Sequence, residues 1–301
     1  MATDTPTALS PIAVIGNGRV GRTLSVALRR LGAEVVVGVR PGDASAGVTQ
    51  DGLPVAVPVE AAAAGRVVIL SVQDDQLPAL VTDLAAHGAF APGQTVVHTA
   101  GVDGPGLLTP AAAAGAAIVA CHPVASFTYD LDGNLARLPG TIWGVTGDTA
   151  GRRVGRQLAG LLGGHAMDVP EAGRARYHAA LVLAANGAAA LSAVAADLLR
   201  AGGVIDPGGL IGKLVHDSID SALATGQAGL SGPWVRGDGR TVALHLEALE
   251  RRHKVQNVYA ALARLVGDRA AASGRLEPET RRRIEAALDE RMADLDSDLA
   301  G

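Results

Sequence analysis

Three side chains carry the chemistry this sequence suggests: His122, His178 and Asn186. An imidazole titrates near neutrality, at about 6.5, so a histidine beside a reacting group is suited to donate a proton or orient a substrate. His122 follows the apolar run Ala117 to Ala120, where Cys121-His122-Pro123 reads as the break at a strand end. His178 and Asn186 fall on a long alanine-rich helix expected over residues 172–201. Their spacing is two turns along a helix and about 80° around it, so both project from one broad side. An asparagine among alanines is expected to be buried and to need partners. A substrate oxygen and a second amide would supply them, as would a plain helix–helix hydrogen bond.

Groups of this kind need elements to hold them, and the chain opens with a strong one. Ile12-Ala13-Val14-Ile15 is a short apolar run, Gly16-Asn17-Gly18-Arg19-Val20-Gly21 is GxGxxG, and a helical pattern of Val20, Leu24, Ala27, Leu28 and Leu31 follows. Strand, glycines, helix is the order a dinucleotide site requires. Gly16 allows the tight turn, Gly18 lets a pyrophosphate approach, and Gly21 lets the helix pack on the strand. The phosphates are expected on the free N–H groups and positive dipole end of the helix that begins near Arg19, with Asn17, Arg19 and Val20 also against the cofactor. A second strand, Glu34 to Val39, ends in Arg40. NAD-binding domains usually place a carboxylate there, about 20 residues beyond the glycines. A guanidinium holds a 2′-phosphate instead, so the expected cofactor is NADP(H). The alternative is a solvated arginine in a Pro-Gly turn.

The alternation continues through strands at Val55 to Val57, Val67 to Leu70, Thr95 to His98, Ala117 to Ala120, Thr141 to Val145 and Ala166 to Val169. Helices fall between them, and the stretch from Phe127 to Leu138 reads as a loop. Ligands of open α/β sheets collect outside the carboxyl ends of strands, which puts Ser71, Val72, Thr99 and Gly101 along the cofactor and His122 at the same edge. Asp74 and Asp75 read as N-caps of the helix that starts at Gln76 and Leu77. From Pro170 onward only helical periodicity remains, with further helices at Pro207 to Thr225, Gly239 to Arg264 and Pro278 to Leu295. The expected fold is an α/β N-terminal domain with a mostly parallel, doubly wound sheet, residues 1–170, and an all-α C-terminal domain, residues 171–301. Between helices of the second domain lies Arg236, which either binds a substrate carboxylate or makes an interdomain ion pair. Asp238 is placed to cap the helix after it.

Composition excludes several classes. A net charge of −4 with 2% aromatic residues does not make a nucleic-acid surface. The 48% hydrophobic content is spread over alanines, with no run of about 18 large apolar residues of the kind that spans a membrane. Met1 to Ser10 lacks the basic and apolar regions of a secretory signal. The single cysteine, Cys121, allows no internal disulfide or metal cluster and fits a reducing cytoplasm.

Further motifs agree with this reading: His98-Thr99-Ala100-Gly101, His122-Pro123 with Ser126-Phe127, Tyr177-His178 with Asn186, and Gly232-Pro233 followed by Arg236-Gly237-Asp238. By these the chain resembles the superfamily of ketopantoate reductase, pyrroline-5-carboxylate reductase and 6-phosphogluconate dehydrogenase. It is most similar there to bacterial Rossmann-like proteins whose second domain is a domain of unknown function, number 2520. The resemblance covers nearly the whole chain. It implies a nicotinamide-dependent oxidoreductase with its active site between a Rossmann domain and a helical domain, and a homodimer built through the helices. It brings no substrate. Relatives such as ketopantoate reductase carry a catalytic lysine early in the helix where this chain has His178; Ala100 stands where the family often has serine, and Gln73 where it often has proline. The expected activity is NADPH-dependent reduction of a C=O or C=N group in a small anionic substrate. Asn186 holds that substrate, His122 or His178 supplies the proton, and Ser126 and Arg236 are substrate contacts. A non-catalytic NADP(H)-binding module with a protein partner is the alternative, and a methyltransferase using a similar glycine turn is a third reading.

Overall fold

Short runs of valine, isoleucine and leucine bounded by glycines suit strands buried on both faces, and the first half of the chain is built from them. The computed structural model describes residues 8–298 apart from 46, 250 and 251. The reading of the N-terminus as no secretory signal rests largely on residues 1–7 and so lies outside the described residues. The chain divides into two compact units, Met1–Ala185 and Asn186–Gly301.

In the first unit, β1 (Ile12–Ile15), β2 (Val35–Gly38), β3 (Val55–Ala56), β4 (Val67–Leu70), β5 (Thr95–His98), β6 (Ala117–Pro123), β7 (Ile142–Gly147) and β8 (His165–Asp168) form one sheet. Its order is β3-β2-β1-β4-β5-β6-β7-β8. All pairs are parallel except β6 with β7. The strand order reverses beside β1, and the carboxyl ends of β1, β4, β5 and β6 share one edge, where open α/β sheets bind ligands.

The helices of this unit are α1 (Arg19–Arg30), α2 (Pro41–Ala44), α3 (Pro58–Ala64), α4 (Leu77–Ala86), α5 (Thr109–Ala113), α6 (Leu131–Arg137) and α7 (Thr149–Leu161). One core joins Val14, Val37 and Val145 to Leu24, Leu28 and Leu158, and includes fully buried Trp143. The other joins Ile15, Val68 and Leu70 to Leu77, Val81 and Leu84. The doubly wound α/β domain expected from the sequence is the one observed.

Three local expectations in this unit need correction. Strand β6 does not break at Cys121 but runs through His122 to Pro123, with His122 opposite Gly144 of β7. A proline at the end of a strand removes a donor only from the last position, so the ladder survives it. The stretch from Phe127 to Leu138 contains helix α6, capped by Asp130, whose carboxylate accepts from the Gly133 N–H. Asp74 and Asp75 make no cap hydrogen bond; they lie in a 3-10 turn, Asp74–Gln76, that leads into α4.

The first unit closes with α8 (Arg174–Leu181), and a π-helical segment, Val182–Gly187, follows it. The expected helix over 172–201 is therefore one helical run with a wider turn in its middle. The second unit contains α9 (Ala188–Ala201), α10 (Pro207–Thr225), α11 (Pro233–Arg236), α12 (Gly239–Ala248), α13 (His253–Ala272) and α14 (Pro278–Asp298). The single helix expected over Gly239 to Arg264 is thus two, α12 and α13. Asp238 caps α12 as expected, accepting from the Thr241 N–H at 3.0 Å. A core of Val242, Leu246, Ala260, Ala263 and Leu288 sits among these helices. Helices α9 and α10 leave Leu191, Leu210, Leu214 and Leu223 exposed. The run Glu171–Ala201 is long and apolar enough to cross a membrane by length and composition, with a mean hydropathy of 1.8 in its most apolar window. Alanines supply most of that value, and Arg174, Arg176 and His178 stand at its start.

Candidate active site

The glycine turn between β1 and α1 is shaped as its three glycines require. Gly16 has a φ of +105°, a backbone region open to glycine and strained for other residues. A Cβ on Gly21 would overlap the Gly16 carbonyl and the Ser71 hydroxyl, so close packing of α1 excludes any side chain there. At Gly18 the opposite holds: a Cβ would meet nothing within 4 Å. Helix α1 has no side-chain cap and no acidic residue in its first turn. Its amino end therefore presents unsatisfied N–H groups and an uncompensated dipole toward an open space, the arrangement that receives a phosphate. The residues present fit a dinucleotide.

The expected contacts around this turn are placed as follows. Asn17, Gly18 and Arg19 line a cavity of about 230 Å³ that extends to Gln50, Tyr129 and Asn134. Arg19 lies over the Tyr129 ring, 5.5 Å from its centre. Val20 is half-buried and packs against the core. Ser71 at the end of β4 is buried; its hydroxyl donates to the Gly16 carbonyl at 3.1 Å and thereby braces the turn. Val72 packs against the Gly16 position. Arg40 precedes α2 at the end of β2, with its side chain 90% exposed and Asp43 at 3.4 Å, so the guanidinium is free to exchange that weak surface pairing for a ligand.

At the ends of β5 and β6 a second group of residues gathers. A Cβ on Gly101 would lie 2.9 Å from Nε2 of His178 and 3.0 Å from Nε2 of His122, so this glycine is the floor beneath two imidazoles. The two rings meet edge to face, 5.7 Å between centres. The Nδ1 of His122 is 3.0 Å from the Tyr177 hydroxyl, and Tyr177 is seated on Gly144 of β7. Thr99, half-buried, donates its N–H to the Leu70 carbonyl at 3.2 Å. Beneath them lies Arg174, 1% exposed. Its Nη1 donates to Thr146 at 3.0 Å and its Nη2 to the Ala100 carbonyl at 2.9 Å. Among the described residues no carboxylate lies within salt-bridge distance of it, and its Nε has no partner.

The electrostatics follow from this burial. Desolvation, with the positive charges of His178 and Arg174 adding to it, lowers His122 to about 4. The neutrality expected of His122 near pH 6.5 is thus corrected downward: it is a neutral imidazole at physiological pH. His98, fully buried at the end of β5, is also lowered to about 4, chiefly by desolvation. Its Nε2 donates to the Gly104 carbonyl at 3.1 Å. Burial raises the Tyr177 phenol while Arg174 opposes that rise. Cys121, fully buried, is pushed up to about 12 and is an inert packing group.

The structure thus brings His122 and His178 together, as the sequence suggested, and adds Tyr177 and Arg174, to which the sequence reading gave no role. Only the run of polar residues at the start of an otherwise alanine-rich helix signalled them. Ser126 is exposed in the loop after β6. Asn186 and Arg236 belong to the second unit. Asn186 is exposed within the π-helical segment, so the expectation of a buried asparagine is corrected, and the α-helical spacing from His178 does not hold across that wider turn. Arg236 is exposed at the end of α11.

Comparison with known proteins agrees with this architecture. A Rossmann-like domain model matches residues 2–123, and the model for a domain of unknown function, DUF2520, matches residues 141–266. The chain carries a Rossmann-like domain and a DUF2520 domain. The DUF2520 match takes in the last two strands of the sheet as well as helices α7 to α12 and most of α13. No curated protein matches the chain. Among solved structures, the Bacteroides fragilis protein BF3122 is 20% identical with a TM-score of 0.70, over 85% of this chain and 97% of its own. An imine reductase from Myxococcus stipitatus in complex with NADP+ is 17% identical with a TM-score of 0.65, over 87% and 94%. A reductive aminase from Aspergillus terreus in complex with NADPH and ethyl levulinate is 20% identical with a TM-score of 0.62, over 91% and 98%. These likenesses show a shared fold.

Proposed function

We propose that this protein is an NADPH-dependent reductase that acts on a C=O or C=N group of a small anionic substrate. The observation that carries the reading is the convergence at one sheet edge of an open, uncapped glycine turn and two imidazole Nε2 atoms above Gly101. The neighbours solved with NADP+ or NADPH support the choice of cofactor, as does Arg40 at the end of β2. The cofactor would be held by Gly16, Asn17, Gly18, Arg19, Val20, Gly21, Arg40, Ser71, Val72, Thr99 and Gly101, and when bound it supplies the hydride. His122 and His178 stand as the groups that move the proton, a role typically worth about 10²–10⁴-fold in rate. Ser126, Asn186 and Arg236 are assigned to the substrate on sequence grounds.

In this reading residues 1–170 bind NADPH and residues 171–301 serve substrate binding and dimerisation. The exposed leucines of α9 and α10 are assigned to the face that a second copy covers. The same reading places the protein in the cytoplasm, with neither nucleic acid nor membrane as partner.

The test is NADPH oxidation followed by absorbance with a panel of 2-oxo acids and cyclic imines. Turnover of either class, slowed strongly in Asn186→Ala with nucleotide affinity kept, is the expected result. Tight NADPH binding without turnover of any member would establish a binding module instead.

A further inference from the structure

The pair formed by His122 and Tyr177 contains more than its distance. The phenol and Nδ1 are 3.0 Å apart, and either could donate. Among the described residues the Tyr177 hydroxyl has no other hydrogen-bond partner, and it lies so close over Gly144 that a Cβ there would collide with it. Were Nδ1 the donor, the phenol proton would lack a protein acceptor, and an unmade hydrogen bond of a half-buried donor is costly. With the phenol as donor the hydroxyl is satisfied, and the proton of the neutral imidazole must sit on Nε2, where no protein atom among the described residues accepts it and a substrate can. That atom is the one that stands over Gly101 beside His178.

Arg174 fits this assignment. A buried guanidinium without a carboxylate partner is expensive to keep, and this one lies 5.9 Å from the centre of the Tyr177 ring. Its charge acts on both members of the pair in the same sense: against an imidazolium at His122 and in favour of a phenolate at Tyr177.

We propose that Tyr177 fixes His122 as a neutral Nε2–H donor and replenishes its proton through Nδ1, with Arg174 as the buried charge that positions the pair electrostatically. The inference rests on the reductase reading for its use. Hydride addition to a C=O or C=N group leaves a negative oxygen or nitrogen. The Nε2–H bond of His122 breaks and its proton passes to that atom, while the Tyr177 O–H bond breaks and its proton goes to Nδ1. The imidazole stays neutral in its other tautomer, and the phenolate beside Arg174 regains a proton from water. Tyr177 and Arg174 are positioning residues here, since each acts through His122.

The test needs no substrate. Imidazole nitrogen NMR on the full chain labelled at histidine nitrogens, with His122 assigned by the signal missing in His122→Gln, reads protonation and tautomer directly. The titratable or charged groups that face His122 are His178, Arg174 and His98 of β5, with Tyr177 bonded to it and Cys121 next to it in β6; Asp74 and Asp103 act on His178, His98 and Arg174 in turn, so the pH series is repeated in Tyr177→Phe and Arg174→Lys. The expected result is a neutral Nε2–H tautomer throughout the neutral range, a shift toward mixed tautomers in Tyr177→Phe, and an unchanged tautomer in Arg174→Lys. An Nδ1–H tautomer, or a wild-type midpoint near the ordinary histidine value, overturns the proposal. A kinetic arm uses pyruvate and 1-pyrroline as probes. Tyr177→Phe is expected to lower kcat at least about 10-fold while the NADPH Kd stays within about two-fold, and an unchanged kcat overturns the relay. If the wild type oxidises NADPH with neither probe nor any other member of the panel, the reductase reading fails, and the NMR result still decides how the pair is protonated.

Discussion

Replacing Gly18 by alanine separates a ligand's need from the fold's. The added methyl meets nothing within 4 Å, and the residue's φ of −74° is one that alanine adopts freely. Two small effects oppose one another in the free protein. Alanine is a poorer N-cap than glycine, while its restricted unfolded chain favours folding by about 0.4–1 kcal/mol. The net change stays within about 1 kcal/mol, and Tm within roughly 2–4 °C of wild type. A bound pyrophosphate, in contrast, would have to come to the space that the methyl now fills. Losing one hydrogen bond to a charged group costs about 1.5–3 kcal/mol, which weakens NADPH binding about 10- to 150-fold. Thermal unfolding gives the first quantity, and titration calorimetry with NADPH the second. Gly21→Ala is the control with the opposite profile, because its methyl collides with the Gly16 carbonyl and the Ser71 hydroxyl. A Kd in Gly18→Ala within about two-fold of wild type would refute the placement of phosphates at this turn.

Other outcomes follow from the same structure. Arg40→Asp leaves Tm unchanged, because the side chain is 90% exposed, yet should reverse the preference between NADPH and NADH in parallel binding titrations. His98 should make the fold acid-sensitive: its pKa of about 4 lies below the unfolded value of about 6.5. Between those values the unfolded chain binds more protons, so stability is complete above about pH 6.5 and falls, by on the order of 3 kcal/mol, as pH drops toward about 4. Urea midpoints across that range should show a steep slope that His98→Gln reduces, and a slope equal in the two proteins would count against the burial argument. If the proposed dimer forms through the helices, Leu214→Glu together with Leu223→Glu, both exposed on α10, should convert it to a monomer in light scattering without loss of helix signal, and a wild type that is already monomeric would refute that assignment.

The parts of the fold that were legible in the sequence are those with a strong local code. Val67-Val68-Ile69-Leu70 is an apolar run because β4 is covered on both faces, and Gly16 and Gly21 mark a turn that other residues cannot make, with Gly18 leaving the space before α1 open. Less legible were features decided by partners far along the chain. Helix α6 looks like a loop because Asp130, Asp132, Gly133 and Asn134 are turn formers. Yet Asp130 is its cap, and buried Asn134 ties it to α1 through Thr23 at 3.2 Å. His122 looks like a residue beyond a strand because a proline follows it, whereas antiparallel β7 extends the ladder past that point. Arg174 was invisible as a site residue, since an arginine at a helix start reads as solvated, and only the sheet beneath it makes it buried. The glycines therefore revealed the place of the site sooner than the residues that set its protonation.

The reversed pairing of β6 with β7 bears on how this chain can be cut. The DUF2520 match begins at residue 141, immediately before β7, so a fragment ending there would look like a complete Rossmann-like domain. It would leave β6 as an edge strand, with Val119 and Cys121 stripped of Trp143, Val145 and Leu158 on their side of the core. Long apolar edges of this kind recruit other chains by strand pairing. Such a fragment is expected to aggregate, whereas one carried through β8 and α8 keeps β6 and β7 paired inside the sheet and leaves the native edge strand, β8, at its end. The seam between the two family models is not a seam in the sheet.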